Sequence, residues 1–454
     1  MTKKLDVTFW GGVGTVTGAN FLVESQKTKF LVDCGMLQGT VDSEEENKKL
    51  FPYDASKIDY LFVTHAHMDH IGRIPKLVKE GFSGTIYSTP ETKEISSVMF
   101  QDALKIMTSE ALDKDNLLYN SDHLNKALSL WKTIEYHKKT SINDDFFVYL
   151  KDAGHILGSS IMEFIFGKTK FVFTGDTGNS PTPLLKDTEK ITDATYMVMD
   201  SVYGDRNHEP KDERDRKFKR IVEETISSGG ALVIPAFSIE RTQVILYLLN
   251  NLIEDKVIKS VPVFLDSPLA IKVTDIYKRL SKNFNQNVKE EISEGDDIFN
   301  FPKLHITQSS MDSKEIVRIP NPKIIIAGSG MSSGGRIIHH EINFLPDPKS
   351  TLLMMGYQAV GTLGRMIEER PSYVNIKGEK VKIRARIENI SGYSSHKDSD
   401  HLVEFVSDTK DTLKKVFVVM GEPSSSTFLV QRLRDYLEVD AVYPERGKVY
   451  ELEY

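Results

Sequence analysis

One cysteine, Cys34, stands among 454 residues, so no internal disulfide can form and a reducing, cytoplasmic setting is expected. Nothing local marks Cys34 as activated, and it reads as a small buried residue rather than a nucleophile. No apolar run approaches the ~18 residues that cross a bilayer, which argues against a membrane partner. The opening Met1-Thr2-Lys3-Lys4-Leu5-Asp6 lacks a secretory h-region and cleavage site. Positive charge is not in surplus either: 58 Lys and Arg against 65 Asp and Glu leave −7 at a pI near 6.0. Most of the surface should therefore repel nucleic acid, and any such binding needs a locally positive groove. Solenoid repeats and low-complexity linkers are missing as well. What is present, 40% hydrophobic and 27% charged residues, describes a globular chain long enough for two domains.

Within that chain the densest chemistry is Thr64-His65-Ala66-His67-Met68-Asp69-His70-Ile71-Gly72. The run Ile58 to Val63 before it reads as a buried strand. An amphipathic helix follows through Arg73, Ile74, Leu77, Val78 and Lys79. Three imidazoles and a carboxylate thus sit on a strand-to-helix turn, where side chains can converge on one point. Imidazole and carboxylate are zinc ligands, and a catalytic site leaves one position open. The plainer alternative, four unrelated surface or hydrogen-bonding side chains, fits poorly with four candidate ligands in six positions.

Strands and turns alternate on either side. Leu5 to Trp10 and Asn20 to Glu24 flank the glycine-rich Gly11 to Gly18, which reads as a hairpin turn and not a P-loop, since it lacks Lys-Ser/Thr and a following helix. Thr28 to Val32 ends at Asp33. A polar, helix-rich stretch runs from Thr92 to Thr133. Phe146 to Leu150 runs toward His155, the hairpin pair around Gly167 delivers Asp176, and Tyr196 to Met199 stops at Asp200. Texture changes near Asp205. Helices over Lys211 to Ser227 and Thr242 to Ile253 alternate with strands at Ala231 to Pro235, Val261 to Leu265, Lys323 to Ala327 and Thr351 to Gly356, which predicts a separate parallel-sheet unit. Strand texture returns near Val381, followed by Ser395-His396 and Val416 to Val419. Singly, an acid at a strand end is as readily turn chemistry as a functional group, Asp200 included.

Taken in order, His65-x-His67-x-Asp69-His70, His155, Asp176, Asp200 and His396 resemble the metallo-β-lactamase fold. The inserted α/β unit, Ser395-His396-x-Asp398, Tyr203-Gly204-Asp205, Pro235-Ala236-Phe237-Ser238, Asp266-Ser267-Pro268, Gly328-Ser329-Gly330-Met331 and Gly334-Gly335-Arg336 resemble its β-CASP branch of nucleic-acid-processing nucleases. The resemblance implies an α/β protein, an αββα sandwich over 1–204 and 369–454 with a parallel-sheet β-CASP domain inserted at 205–368. It implies a zinc-dependent phosphodiester hydrolase acting on single-stranded RNA, endonucleolytic, or alternatively a 5′-exonuclease. One zinc would take His65, His67 and His155, a second Asp69 and His70, with Asp176 between them. The two ions would share a hydroxide that Asp69 helps to orient. Asp33 would hold the histidine turn by hydrogen bonds. His396 would protonate the leaving ribose oxygen, with Asp200 positioning it.

One position departs from the family's pattern. Its last strand usually ends in His-Gly-Glu, and here it ends in Met420-Gly421-Glu422. A thioether is a poor zinc ligand, so the second ion should bind more weakly. An RNA-binding module with an impaired metal centre is the competing reading, and a small-molecule hydrolase a third. The loop Gly328 to Arg336 follows a strand and precedes a helix. Ser329, Gly330, Met331 and Gly335 are candidates to hold a phosphate through backbone amides, with Arg336 adding charge; a plain helix-capping loop is the alternative. A homodimer is an open expectation.

Overall fold

The computed structural model describes residues 3–39, 42–110 and 117–454. Met1 and Thr2 of the expected leaderless start, and residues 111–116 of the expected helical stretch, lie outside the described residues. The chain divides into two units, Met1–Gln38 with Asp42–Asn207 and His396–Tyr454, and Gly39–Val41 with His208–Ser395.

The first unit holds two seven-stranded sheets. In one, Lys4–Gly11, Asn20–Glu24 and Lys29–Val32 run antiparallel in turn, and Tyr60–Phe62, Thr85–Ser88 and Trp131–Thr133 continue it in parallel. The glycine-rich segment is thus a connection between paired strands. Val449–Glu453 closes the sheet's other edge against Lys4–Gly11. In the second sheet, Phe147–Asp152, Ser160–Phe166 and Thr169–Phe173 are antiparallel, and Tyr196–Asp200 and Lys415–Val419 follow in parallel.

Strand alternation decides what each sheet buries. Phe30 and Val32 point to a core shared with Phe146, Phe164, Phe173 and Phe417 of the other sheet, while Leu31 points outward to a cluster with Ile74, Leu77 and Leu124. Phe417 and Val419 face the shared core; Val416 and Val418 pack outward with Leu402, Phe405 and Leu429. Phe30 stacks on Phe164 with ring centroids 4.8 Å apart and on Phe146 at 5.3 Å, so the two sheets interlock through aromatic rings. Helices outside, paired sheets inside: this is the αββα sandwich.

The second unit is a six-stranded parallel sheet in the order Leu304–Ile306, Val263–Asp266, Lys323–Ala327, Ala231–Pro235, Thr351–Met354 and Arg386–Asn389. Its central strands are buried along their whole length, as the near-continuous Val/Ile/Leu runs of a parallel sheet require. The sequence pattern returns the chain to the sandwich at residue 369. In the structure Arg386–Asn389 pairs with Thr351–Met354 and Ile387 enters this unit's core, so the unit extends to Ser395. Among the described residues no helix is long and apolar enough to cross a membrane.

Glu341 is 1% exposed on the helix Ile337–Phe344, where the Ser332 hydroxyl donates to its carboxylate. Burial pushes its carboxyl from 4.5 up to about 8, the Ser332 bond opposing the shift. Between those pH values the folded chain keeps a proton that the unfolded chain has lost. Stability should therefore fall as pH rises through that window, by at most about 1.4 kcal/mol per pH unit. Urea unfolding at pH 5 and pH 8 checks this: Glu341→Gln should lose less stability between the two than the unsubstituted chain.

Candidate metal centre

Four strands from the two sheets of the first unit end at the site and deliver polar groups to it. Lys29–Val32 delivers Asp33, Tyr60–Phe62 the histidine turn, Thr169–Phe173 Asp176, and Tyr196–Asp200 its own last residue. Ligands gather at such carboxyl ends because there the loops diverge and leave a crevice. His67 precedes the four-residue helix Met68–Ile71, which places Asp69 and His70 on one turn and adds a short helix where the sequence suggests an open turn. This turn rests directly on neighbouring backbone. A Cβ on Gly35 would stand 1.5 Å from the Asp69 carbonyl oxygen, so only glycine fits there.

Three ligand-type groups result. In the first, His65 Nε2 and His155 Nε2 each lie 3.1 Å from His67 Nδ1, and Asp176 Oδ2 lies 3.5 Å from both Nε2 atoms. A tetrahedral ion with bonds of about 2.0–2.1 Å needs donors about 3.3–3.4 Å apart, so these edges match a divalent cation of zinc's size. In the second group, His70 Nε2 lies 3.4 Å from Asp176 Oδ1 and 3.8 Å from Asp69 Oδ2. His70 Nε2 and Asp176 Oδ1 are buried without a hydrogen-bond partner, which a native interior does not tolerate unless something else engages them. The two oxygens of Asp176 thus face different donor sets.

The third group brings in the far end of the chain. His396 Nδ1 is 3.9 Å from both Asp176 Oδ2 and Asp200 Oδ2, and its ring centroid is 4.7 Å from that of His155. A bridge between Gly178 and His396, and the Lys397 amide donating to Thr177 at 2.9 Å, fix the segment.

Asp33 fixes the imidazole tautomers. Its Oδ2 accepts from His70 Nδ1 at 2.7 Å and from the Thr64 hydroxyl at 2.8 Å, and its Oδ1 accepts from the Thr64 amide at 2.8 Å. With its proton given to Asp33, Thr64 Oγ1 accepts from His65 Nδ1 at 3.0 Å. Both histidines then present a bare Nε2 lone pair to the site. Electrostatics agree for His65, whereas for His70 they favour a proton on Nε2 as well. Burial, reinforced by the charge of His70, holds the His65 imidazole well below its ordinary pKa. Burial also opposes charge on His70, but Asp176 and Asp33 outweigh it and raise His70 well above the usual range. Burial pushes Asp69 up to about 6. On His396 burial again disfavours charge, yet Asp200, Asp176 and Asp69 prevail and raise its pKa.

Every expected ligand therefore lies in one place, with Asp33, Asp200 and His396 against it. Thr64 and Thr177 have roles that the sequence does not announce. Thr177 donates its amide and hydroxyl to Asp200 Oδ1 at 3.1 and 2.8 Å. The signal for both threonines is only adjacency to a ligand. The Tyr203 ring lies 6.5 Å from His396, so the Tyr203-Gly204-Asp205 stretch reaches the site through its aromatic residue.

Met420 is 2% exposed, takes a left-handed φ of 49°, and packs in the inter-sheet core. A Cβ on Gly12 would lie 2.6 Å from its sulfur. It borders a small cavity shared with Asp33, Thr64 and His70.

In the second unit, Ser329, Gly330, Met331 and Gly335 form a braced loop after Lys323–Ala327. The Ser329 amide donates to Gly334, the Ser333 amide to Ser329 Oγ, Gln358 to the Gly330 carbonyl, and the Gly364 amide to the Met331 carbonyl. Arg336, expected to add charge for a phosphate, instead donates to Asp266 at 2.7 Å and to the Thr307 and Gln308 carbonyls. Buried Asp266 is the stronger claim on that guanidinium.

Family models match along most of the chain: the metallo-β-lactamase superfamily over residues 13–235, the Beta-Casp domain over 242–367, and the Zn-dependent metallo-hydrolase RNA specificity domain over 380–444. The chain is 35% identical to Ribonuclease TTHA0252 of Thermus thermophilus, over 87% of this chain and 89% of that protein. It is 29% identical to Transcription termination factor FttA of Methanosarcina mazei, covering 96% of this chain and 69% of that one. A protein of unknown function from Enterococcus faecalis V583, known from its crystal structure, shares the fold with a TM-score of 0.59 at 12% identity, over 99% of this chain and 100% of that one.

Asp33→Ala should free both imidazoles to flip. Chelator competition should then show divalent-metal affinity reduced by about 10- to 100-fold, with far-UV circular dichroism unchanged.

Proposed function

The chain belongs to the metallo-β-lactamase superfamily, in its β-CASP branch, and we propose that it is a zinc-dependent ribonuclease that cuts single-stranded RNA endonucleolytically. The observation that carries this reading is one carboxylate, Asp176, between two donor sets, with an imidazolium-favouring His396 beside them. His65, His67, His155 and Asp176 would hold one zinc, and Asp69, His70 and Asp176 a second. Such a pair would supply a nucleophile at neutral pH and stabilise the negative charge of the phosphodiester under attack.

The chain's own residues do the rest. Asp69, 18% exposed in its side chain and poised near neutrality, is placed to orient the attacking water. His396 is 23% exposed, so it can meet substrate while the carboxylates keep it protonated. It delivers that proton to the departing ribose O3′, leaving 3′-hydroxyl and 5′-phosphate ends. Asp200, itself held by Thr177, keeps His396 facing the site. RNA as substrate is supported by the RNA specificity domain match and the ribonuclease relative.

Met420 favours a second reading. It offers no nitrogen or oxygen donor where the family has histidine, so the Asp69–His70–Asp176 set stays one ligand short. The second zinc is then the weaker, and with it lost the protein would bind RNA without cutting it. Cleavage assays across added zinc and manganese separate the readings; binding without cutting under every metal would refute the ribonuclease.

Two outcomes are expected. His396→Ala should lower the cleavage rate by about 10²–10⁴-fold at unchanged metal content. It should also abolish the fall in rate that the unsubstituted enzyme shows as pH rises through the raised His396 pKa, a profile read by single-turnover kinetics. Met420→His should raise the affinity for the second metal equivalent in a zinc titration; an unaltered titration would count against that assignment.

A further inference from the structure

The chain is acidic, yet residues 370–384 hold five Lys and Arg, Arg370, Lys377, Lys380, Lys382 and Arg384, against one acid, Glu379. Within them Tyr373–Ile376 and Glu379–Lys382 pair as an antiparallel hairpin. Its two turn residues, Lys377 and Gly378, have φ of 50° and 85°, the left-handed pair that a two-residue hairpin turn needs.

Alternation sorts the hairpin into two faces. Val374, Ile376 and Val381 enter the core of the second unit. On the other face Tyr373 lies opposite Lys382 and Asn375 opposite Lys380, all four exposed. Glu379 alternates with Val381, away from this face. The Tyr373 ring is 45% exposed, with Lys380 Nζ 4.6 Å and Lys382 Nζ 5.8 Å from its centroid. Nearby cations are neutralised: Arg365 pairs with Glu369, and Arg386 with Glu224 and Glu388. Among the described residues no carboxylate pairs with Lys377, Lys380, Lys382 or Arg384.

We infer that this hairpin face binds single-stranded RNA through residues outside the metal-ligand sets, an inference that rests on the ribonuclease reading. Cations with no carboxylate partner on an otherwise acidic protein complement a polyanion. An exposed aromatic ring with two ammonium groups near it adds what a plain basic patch lacks, a platform on which any unpaired base stacks while the lysines meet the flanking phosphates. Apart from the Tyr373 ring no apolar side chain lies on this face, which argues against insertion into a lipid surface.

The test measures binding of a labelled oligouridylate to the full chain by fluorescence anisotropy, with metal chelated so that nothing is cut, across a range of salt. Lys380→Glu with Lys382→Glu should weaken binding by about tenfold or more and flatten the log–log salt slope by about 0.7 for each phosphate that the lysines no longer neutralise. Tyr373→Ala should weaken it by about fivefold or more for the single strand and leave duplex RNA of equal length unaffected. Hydrolysis of bis-p-nitrophenyl phosphate, a small diester without a base to stack, should be unchanged in both variants with metal restored. Normal RNA affinity and slope in the variants, with RNA cutting intact, overturns the hairpin assignment alone. An unsubstituted chain that neither binds nor cuts RNA overturns the ribonuclease reading and this inference with it.

Discussion

A fully enclosed carboxylate is the constraint from which the first unit follows. Asp176 is 2% exposed, and burying an ionised carboxylate is prohibitive unless positive charge or strong donors surround it. It is ringed by His65, His155, His70 and His396, each within 3.9 Å. Its own pKa stays well below the ordinary value because burial, which would raise it, loses to His70, His65 and His396. That surrounding charge can come from protons on histidine or from bound cations. The first is available at His70 and His396, whose pKa values are raised, but not at His65, which the same burial drives neutral. A divalent ion held by these residues would satisfy the carboxylate and the imidazole lone pairs together.

The αββα sandwich is what makes such a convergence possible. Asp33 and the histidine turn come from one sheet, Asp176 and Asp200 from the other, and the aromatic interlock of Phe30 with Phe146 and Phe164 holds the sheets together. Ligands carried on strand ends inherit the rigidity of that core. His396 arrives differently, on a segment tied by the Gly178 bridge and by Lys397 to Thr177.

Much of the site was legible because its densest part is local. His65, His67, Asp69 and His70 fall within six residues, and spacing alone exposes them. His155, Asp176, Asp200 and His396 became legible through their order along a family pattern, not through anything beside them in sequence. Thr64 and Thr177 stayed invisible because a hydroxyl's partner, here Asp33 or Asp200, is set by tertiary folding. The same limit explains Arg336: a glycine-rich turn ending in arginine reads as an anion site until Asp266, seventy residues away in sequence, is found to hold it. It explains the late end of the second unit too. Nothing within Arg386–Asn389 states that its partner is Thr351–Met354, because parallel pairing carries no turn to announce it.

Met420 shows where pattern and physics part. Strand alternation after Val419 would send residue 420 to the outer face with Val416 and Val418. Its left-handed φ turns the side chain back into the inter-sheet core, against Gly12 and Phe21. The backbone there has already adopted a conformation that costs a non-glycine residue about 1 kcal/mol or more, and apolar packing recovers it. An imidazole at this position would inherit the same inward course, beside the cavity that His70 and Thr64 share. The strained turn therefore sends residue 420 toward the cavity that Asp33, Thr64 and His70 line, whichever side chain it carries. With methionine that direction stabilises the sandwich core; only a side chain with a nitrogen donor converts it into ligation.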